Sequence, residues 1–178
     1  MHIKRLAHLD DATCAQLADI LVDCVEGGAS VSFMLPLSHG RAEAFWRGLQ
    51  GSIAAGERAL LVAQNEEGVL LGTVQIVLAQ PENQPHRADI AKLLVHRRGR
   101  RQGVAQALMQ AVEGVALEEG KSVLVLDTAT GGDAERLYQR LGWQVTGQVP
   151  GYALWPEGGL CATTIFYKLL GSHARVAL

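Results

Sequence analysis

The stretch that decides the fold is Leu93-Leu94-Val95-His96-Arg97-Arg98-Gly99-Arg100-Arg101-Gln102-Gly103-Val104-Ala105-Gln106-Ala107-Leu108-Met109. A β-prone run ends at Val95, a basic loop containing Gly99 and Gly103 follows, and apolar residues then recur at Val104, Leu108, Met109, Val112, Val115 and Ala116. That spacing puts them on one helix face. A loop of this kind suits a phosphate ligand. The first amides of a helix have no backbone partners, and the helix dipole favours an anion beside them. Gly103 lets the backbone approach a pyrophosphate closely. Arg100 and Arg101 add charge-assisted donors. The dinucleotide fingerprint G-x-G-x-x-G and the nucleotide loop G-x-x-x-x-G-K-[ST] are both missing from the sequence.

The rest of the composition bounds the function. At 178 residues, 48% hydrophobic and 19% charged, residues 1–178 are expected to form one globular domain. A net charge of −2 argues against a general nucleic-acid binder despite the local basic run. Cys14, Cys24 and Cys161 have neither disulfide-framework nor zinc spacing, and the six histidines show no metal-ligand spacing, so no metal is expected. The first residues lack the apolar core and cleavage site of a signal peptide, and no apolar run is long enough to span a bilayer. A soluble protein of the reducing cytoplasm is expected.

Taken in order, residues 3–6 read as a short strand, followed by a helix capped by Asp10 or Asp11 with Leu17, Ile20, Leu21 and Cys24 inward. Gly27-Gly28 ends it, and residues 29–37 are apolar without a helical period. Ser38 caps a second helix carrying Ala42, Phe45, Trp46, Leu49 and Ile53. Residues 59–63 and 69–78 read as strands joined by the turn Asn65-Glu66-Glu67-Gly68, and residues 87–95 as the strand entering the glycine loop. After the long helix come a strand at residues 122–128, of the kind buried on both faces, and a helix capped by Asp133 that runs to Leu141. Strands at residues 144–149 and 163–169 close the chain, separated by a loop containing Pro150, Gly151, Pro156 and Gly158-Gly159.

Arg100-Arg101-Gln102-Gly103-Val104-Ala105 matches, position by position, the [QR]-x-x-G-x-[GA] signature of the GNAT superfamily, the acyl-CoA-dependent N-acetyltransferases. The element order agrees with that family over nearly the whole chain. The resemblance implies an α/β (α+β) GNAT fold: a mixed, mostly antiparallel sheet with a splayed parallel pair, flanked by about four helices. It implies acetyl-CoA as cosubstrate, held by Leu93, Leu94, Val95, Arg100, Arg101, Gln102, Gly103, Val104 and Ala105. Ala134-Glu135-Arg136-Leu137-Tyr138-Gln139-Arg140-Leu141-Gly142-Trp143 resembles the family's A-x-x-x-Y-x-x-x-G-F segment, whose tyrosine can protonate the leaving thiolate. Tyr138 inherits that role. Trp143 replaces the usual phenylalanine, and Gly131 stands where an asparagine often contacts the CoA arm.

The likeness goes further. Gly27-Gly28-Ala29-Ser30-Val31-Ser32-Phe33-Met34, Arg87-Ala88-Asp89-Ile90-Ala91-Lys92-Leu93, Leu124-Val125-Leu126-Asp127-Thr128 and Pro150-Gly151-Tyr152 are similar to the tabtoxin-resistance acetyltransferases. Those proteins acetylate the amine of a small amino-acid-like β-lactam toxin, which implies a compact amine acceptor and a detoxifying role. An alkyl amine of pKa roughly 10 is protonated at neutral pH, so a carboxylate or an ordered water must take its proton. Asp89 and Asp127, on the two strands that would border the family's cleft, are both candidates for that base or for binding the ammonium. Phe33, Met34, Tyr152 and Trp155 are candidates for the acceptor pocket. Cys161 is a conceivable acyl carrier, but nothing beside it in the sequence suggests an activated thiolate.

Two other functions fit part of the pattern. One is a non-catalytic acetyl-CoA binder or sensor on the same fold. The other is a nucleic-acid module using Arg97, Arg98, Arg100 and Arg101. No aromatics interleave with that basic run, and only 5% of the chain is aromatic, so stacking on bases has little support. The expected partners are therefore acetyl-CoA and a small amine, with no nucleic acid and no membrane. The sequence leaves the oligomeric state open.

Overall fold

The computed structural model describes residues 1–171. Its elements are β1 (His2–Leu6), α1 (Asp11–Glu26), α2 (His39–Arg47), α3 (Gln50–Ala54), β2 (Arg58–Gln64), β3 (Leu70–Val77), β4 (Arg87–Val95), α4 (Val104–Glu118), β5 (Val123–Ala129), α5 (Asp133–Arg140), β6 (Gln144–Leu154) and β7 (Leu160–Leu169). A 3-10 turn at Arg97–Gly99 lies between β4 and α4. The seven strands form one sheet in the order β1-β2-β3-β4-β5-β7-β6. Among its neighbouring strands only β4 and β5 are parallel. This is the expected mixed, mostly antiparallel α/β arrangement.

Both faces of the sheet are covered, which is why the central strands read as apolar runs. On one face α4 lays Val104, Leu108, Met109, Val112 and Ala116 over Leu61, Val74, Ile76 and Ala88. On the other, α1 and α2 bury Leu17, Ile20, Leu21, Ala42 and Trp46 against Leu60, Val62 and Leu94. Each such large side chain contributes roughly 1.5–3 kcal/mol on burial. Local signals set the helix starts. Asp10 caps α1 by accepting from the Thr13 amide at 2.7 Å, and Ser38 caps α2 by accepting from the Arg41 amide at 3.2 Å.

Four details differ from the sequence reading. The second helix is broken, because Gly48 ends α2 and the Leu49 amide tightens the turn onto the Trp46 carbonyl before α3 starts. β5 is buried on one face only. Leu124 and Leu126 point into the α4 core, whereas Asp127 is exposed, because α1 and α2 do not reach across this part of the sheet. Asp133 is not a cap. Gly132 occupies the N-cap of α5, and the Asp133 carboxylate pairs with Arg136 in the first turn. Finally, Pro150 and Gly151 lie inside β6, where the register passes from Val149↔Thr163 to Ala153↔Cys161. Residues 150–152 therefore bulge out of the ladder without ending the strand, helped by Gly151 at φ 62°.

Two irregularities position the site. β4 and β5 pair only through Arg87↔Val123, Ala88↔Leu124 and Asp89↔Val125, and then part. β4 also bulges against β3: one residue lies between Thr73 and Gln75 while two lie between their partners Leu94 and Ala91, and Lys92 sits at φ 52°. Gly72 allows the close packing beneath this region. A Cβ there would meet the Leu94 carbonyl oxygen at 2.8 Å and Val104 Cγ1 at 3.0 Å. Gly72→Ala is expected to lower the unfolding free energy by about 1–3 kcal/mol through overpacking, read from the denaturant midpoint. An unchanged midpoint would show that β3 and β4 can move apart freely.

Candidate active site

Where β4 and β5 part, a cleft of about 1140 Å³ opens. One wall is the end of β4 with the turn that follows. The other is formed by the end of β5 and by α5, and the mouth is bordered by residues 27–34 and 152–155. The rim is stitched together from distant parts of the chain: the Ser30 hydroxyl donates to the Leu154 carbonyl at 2.8 Å, and the Leu35 amide donates to the Pro156 carbonyl at 2.9 Å.

At the turn, Arg101 and Gly103 both have left-handed backbones, φ 62° and 77°, and Gly103 stands at the N-cap of α4 with no side-chain cap. A Cβ built on Gly103 would meet nothing within 4 Å, so the space over the helix start is open. No side chain competes for the first amides of this 15-residue helix. The geometry can hold an anion there. Leu93, Leu94, Val95, Arg100, Arg101, Gly103, Val104 and Ala105 all line the cleft. Gln102 does not. Its side-chain amide donates to the Arg98 carbonyl at 2.7 Å and braces the turn from behind.

Sequence reasoning missed what organises the basic run. Asp23, on α1 and only 6% exposed, accepts from the Arg97 amide at 2.8 Å and from the Arg97 guanidinium. Arg100 and His96 lie 3.7 and 3.8 Å from the same carboxylate. Burial pushes Asp23 up, but the Arg97 amide and guanidinium, with His96, outweigh it and hold its pKa below the ordinary carboxylate value. Burial lowers His96 despite the nearby Asp23 charge. Its Nδ1 accepts from the Arg98 amide at 3.1 Å, which leaves Nε2 to carry the proton toward Asp23. A lone acid among Ile20, Leu21, Val22, Cys24 and Val25 was the available signal.

On the opposite wall Tyr138 is 5% exposed, with ring centroids 6.0 Å from Trp143 and 5.7 Å from Phe166. Burial first, and the Asp127 charge second, push its phenol well above the usual range. Its hydroxyl has no hydrogen-bond partner among the described residues, and the residue lines the cleft. Asp127 lines it too, accepting from the Thr163 hydroxyl at 3.2 Å. Asp89 does not. It borders a side cavity of about 250 Å³ shared with Asp127 and Tyr152, and its carboxylate is held by Arg87 and, at 3.0 Å, by Gln80. Phe33, Met34, Tyr152 and Trp155 all border the main cleft. Phe33 packs edge-on against Phe45 at 5.2 Å, and Tyr152 is 57% exposed. Cys161 lines the cleft with its thiol 3.3 Å from the Ala162 carbonyl, and all three cysteines are free and buried. Lys92 and Ser32 also face this space and were given no role in the sequence reading. Among the described residues no group of three or more His, Cys, Asp or Glu side chains is placed to hold a metal, and no helix is long and apolar enough to cross a membrane.

The sheet is thus split at its parallel pair, with an anion-ready helix start on one wall and a buried phenol on the other. The model of the acetyltransferase (GNAT) family matches residues 30–143, and the chain belongs to that family, whose enzymes take their acyl group from acetyl-CoA. Human N-acetyltransferase 8 is 36% identical over 88 residues, which are 49% of this chain and 39% of that protein. The chain thus spans about two fifths of the length of that relative. Ribosomal-protein-alanine N-acetyltransferase from Brucella melitensis shares the fold with a TM-score of 0.79 at 21% identity, over 96% of this chain and 100% of that one. The structure of yncA from Salmonella typhimurium with its cofactor acetyl-CoA aligns over 99% of both chains, with a TM-score of 0.76 and 21% identity.

The Asp23 arrangement makes a prediction. Asp23→Ala leaves a buried amide and three cationic or polar partners uncompensated and is expected to cost about 1–3 kcal/mol of stability. The folded pKa of Asp23 is depressed. Its contribution is therefore complete above the unfolded carboxylate value, about 4, and is lost as pH falls through the lower folded value. The gap in unfolding free energy between parent and variant should shrink in acid. A gap that widens between pH 7 and pH 3 contradicts the assignment.

Proposed function

We propose that the chain is an N-acetyltransferase that moves the acetyl group of acetyl-CoA to the amine of a small amino-acid-like or dipeptide-like acceptor, by direct attack, in the reducing cytoplasm. The observation that carries this reading is the wedge between β4 and β5, which brings Tyr138, Asp127 and the α4 helix start to one cleft. In it, the amides of residues 101–105 receive the pyrophosphate, aided by Arg100 and Arg101. Backbone groups of Leu93, Leu94 and Val95 hold the pantetheine arm, because β4 in this region has a strand neighbour on one side only. Acetyl-CoA supplies an activated thioester; the protein supplies position, a proton acceptor and a hydrogen-bond donor.

Asp127 is the favoured site for the acceptor's ammonium and its departing proton, directly or through water, since Asp89 is already committed to Arg87 and Gln80. Tyr138 faces the leaving sulfur as hydrogen-bond donor. Phe33, Met34, Tyr152 and Trp155 shape a compact acceptor pocket. Its rim, residues 27–37 and 150–161, carries Glu157 as its only acid, a poor match for a polycation such as an aminoglycoside. The likeness to the tabtoxin-resistance enzymes supports an amino-acid-like acceptor and a detoxifying role. Cys161 is set aside as an acyl carrier because its thiol contacts only the neighbouring carbonyl.

Thiol release from acetyl-CoA, measured across amino acids, dipeptides, polyamines and aminoglycosides, should give the highest kcat/KM for an amino acid or short peptide. A polyamine or aminoglycoside ahead by about tenfold, a free-energy difference of about 1.4 kcal/mol, overturns the acceptor reading. Gly103→Glu should stay folded but lose acetyl-CoA affinity by at least about 100-fold, since a like charge beside the phosphates costs several kcal/mol. Unchanged affinity removes the pyrophosphate from this helix start. Tyr138→Phe should lower turnover by about 100- to 10,000-fold with little change in acetyl-CoA affinity. A turnover within twofold of the parent makes Tyr138 a packing residue.

A further inference from the structure

The β4 bulge brings a lysine into the cleft, and the fold gives its charge no partner. Lys92 is half-buried and lines the cleft. Its ammonium donates to the Ser32 hydroxyl at 3.1 Å and lies 6.0 Å from the centroid of the Phe45 ring. Among the described residues it has no carboxylate within ion-pairing distance, whereas Lys168 pairs with Glu113 and Arg87 with Asp89. A cation drawn out of water without a counter-charge costs free energy. Both ends of the Lys92–Ser32 contact are also strained. Ser32 has φ 76° and Lys92 φ 52°, left-handed backbones that non-glycine residues rarely adopt.

The charged and polar groups packed near Lys92, though not lining the cleft, are donors. Arg58 of β2 contacts the side-chain carbonyl of Gln75, and its positive charge acts on Lys92. Arg58 Nε has no acceptor, and neither does the side-chain nitrogen of Gln75, a residue only 1% exposed. Burial and Arg58 both disfavour the charged form of Lys92, and the Asp127 carboxylate favours it. Lys92 therefore presents a cation to the acceptor space, and Asp127 lies near enough to influence it. A dipolar ligand fits this layout in one orientation: its anion on Lys92 and Ser32, its ammonium on Asp127.

We infer that Lys92, with Ser32, binds a carboxylate of the acceptor, so that the preferred acceptors are amines that carry a carboxylate. This rests on the cleft being the acetyl-acceptor site. It adds the group that distinguishes an amino acid from a plain amine.

The test compares α-amino acids with their carboxamides in thiol release, using the parent, Lys92→Met and Lys92→Arg. The parent should favour the carboxylate form by about tenfold or more, as expected for a charge-assisted hydrogen bond. Lys92→Met should raise KM for the amino acids until that preference disappears, leaving KM for acetyl-CoA and turnover of the carboxamides near the parent's. Lys92→Arg should keep part of the preference. A parent indifferent to the carboxylate, or a preference that survives in Lys92→Met, overturns the inference while leaving the transferase intact. If no amine in the panel releases thiol, or if Lys92→Met fails to bind acetyl-CoA, the parent with 13C-methylated lysines is titrated in the presence of CoA. A Lys92 resonance that moves with the amino acid and not with its carboxamide upholds the inference. No movement overturns it.

Discussion

The rest of the site depends on the parting of β4 and β5 after three paired residues. A sheet normally satisfies its main-chain groups on both sides of a strand, and an unpaired row within a fold is costly unless something else takes it up. Here each strand keeps a ladder on its other side, β4 with β3 across one bulge and β5 with β7 without interruption, so the gap stays open without loss of either strand. Part of the exposed row is already met: the Val95 carbonyl accepts from the Arg100 guanidinium at 3.4 Å and from the Cys24 thiol at 3.6 Å. The cleft is thus a held-open defect in the sheet. Its β4 wall is packed from both faces, by α1 and by α4, whereas its β5 wall is packed on the α4 face alone.

Charge is distributed along this defect with little reference to the net value of −2. At the α4 end, arginines cluster beside a helix start that is itself electropositive. Left alone they would repel one another. Asp23 draws Arg97, Arg100 and His96 to a single carboxylate reached from α1, which fixes the turn, while Arg101 has no carboxylate within ion-pairing distance among the described residues. At the acceptor end the arrangement is inverted in logic: Lys92 lines the cleft under the influence of the Arg58 charge, with no carboxylate within ion-pairing distance among the described residues, and Asp127 faces the space from β5. One end is neutralised internally and the other is not.

What the sequence made legible was local. Strand, glycine turn and helix around Gly103 follow from periodicity and from one residue's freedom to take φ 77°, and both were readable in order. Tyr138 was found through a segment pattern, and the cleft contains it. What escaped the sequence was competition between side chains. Asp89 looked equivalent to Asp127 on the chain, but Arg87, two residues away, and Gln80 claim it. Gln102 sits inside the glycine signature yet turns back to Arg98. Asp23 and Lys92 are single charges in apolar runs, and their meaning depends on a helix and a bulge that meet strands far away in sequence. Pro150 and Gly151 resembled a loop because the ladder that resumes beyond them lies on β7.

The environment of Tyr138 also limits how it can act in the proposed reaction. A thiol of ordinary acidity has a pKa of about 8.5, below that of a phenol at about 10. Burial and Asp127 push Tyr138 further up, so full proton transfer to a departing thiolate is unfavourable at equilibrium. The same burial removes water that would compete for the hydroxyl and lowers the local dielectric, which strengthens a hydrogen bond to charge developing on sulfur. Packing against Trp143 and Phe166 fixes the direction of that donor in advance. On the proposed reading Tyr138 then stabilises the leaving sulfur by donating a hydrogen bond. In the proposed reaction the proton that finally neutralises the thiolate can come from the acceptor's own ammonium by way of Asp127.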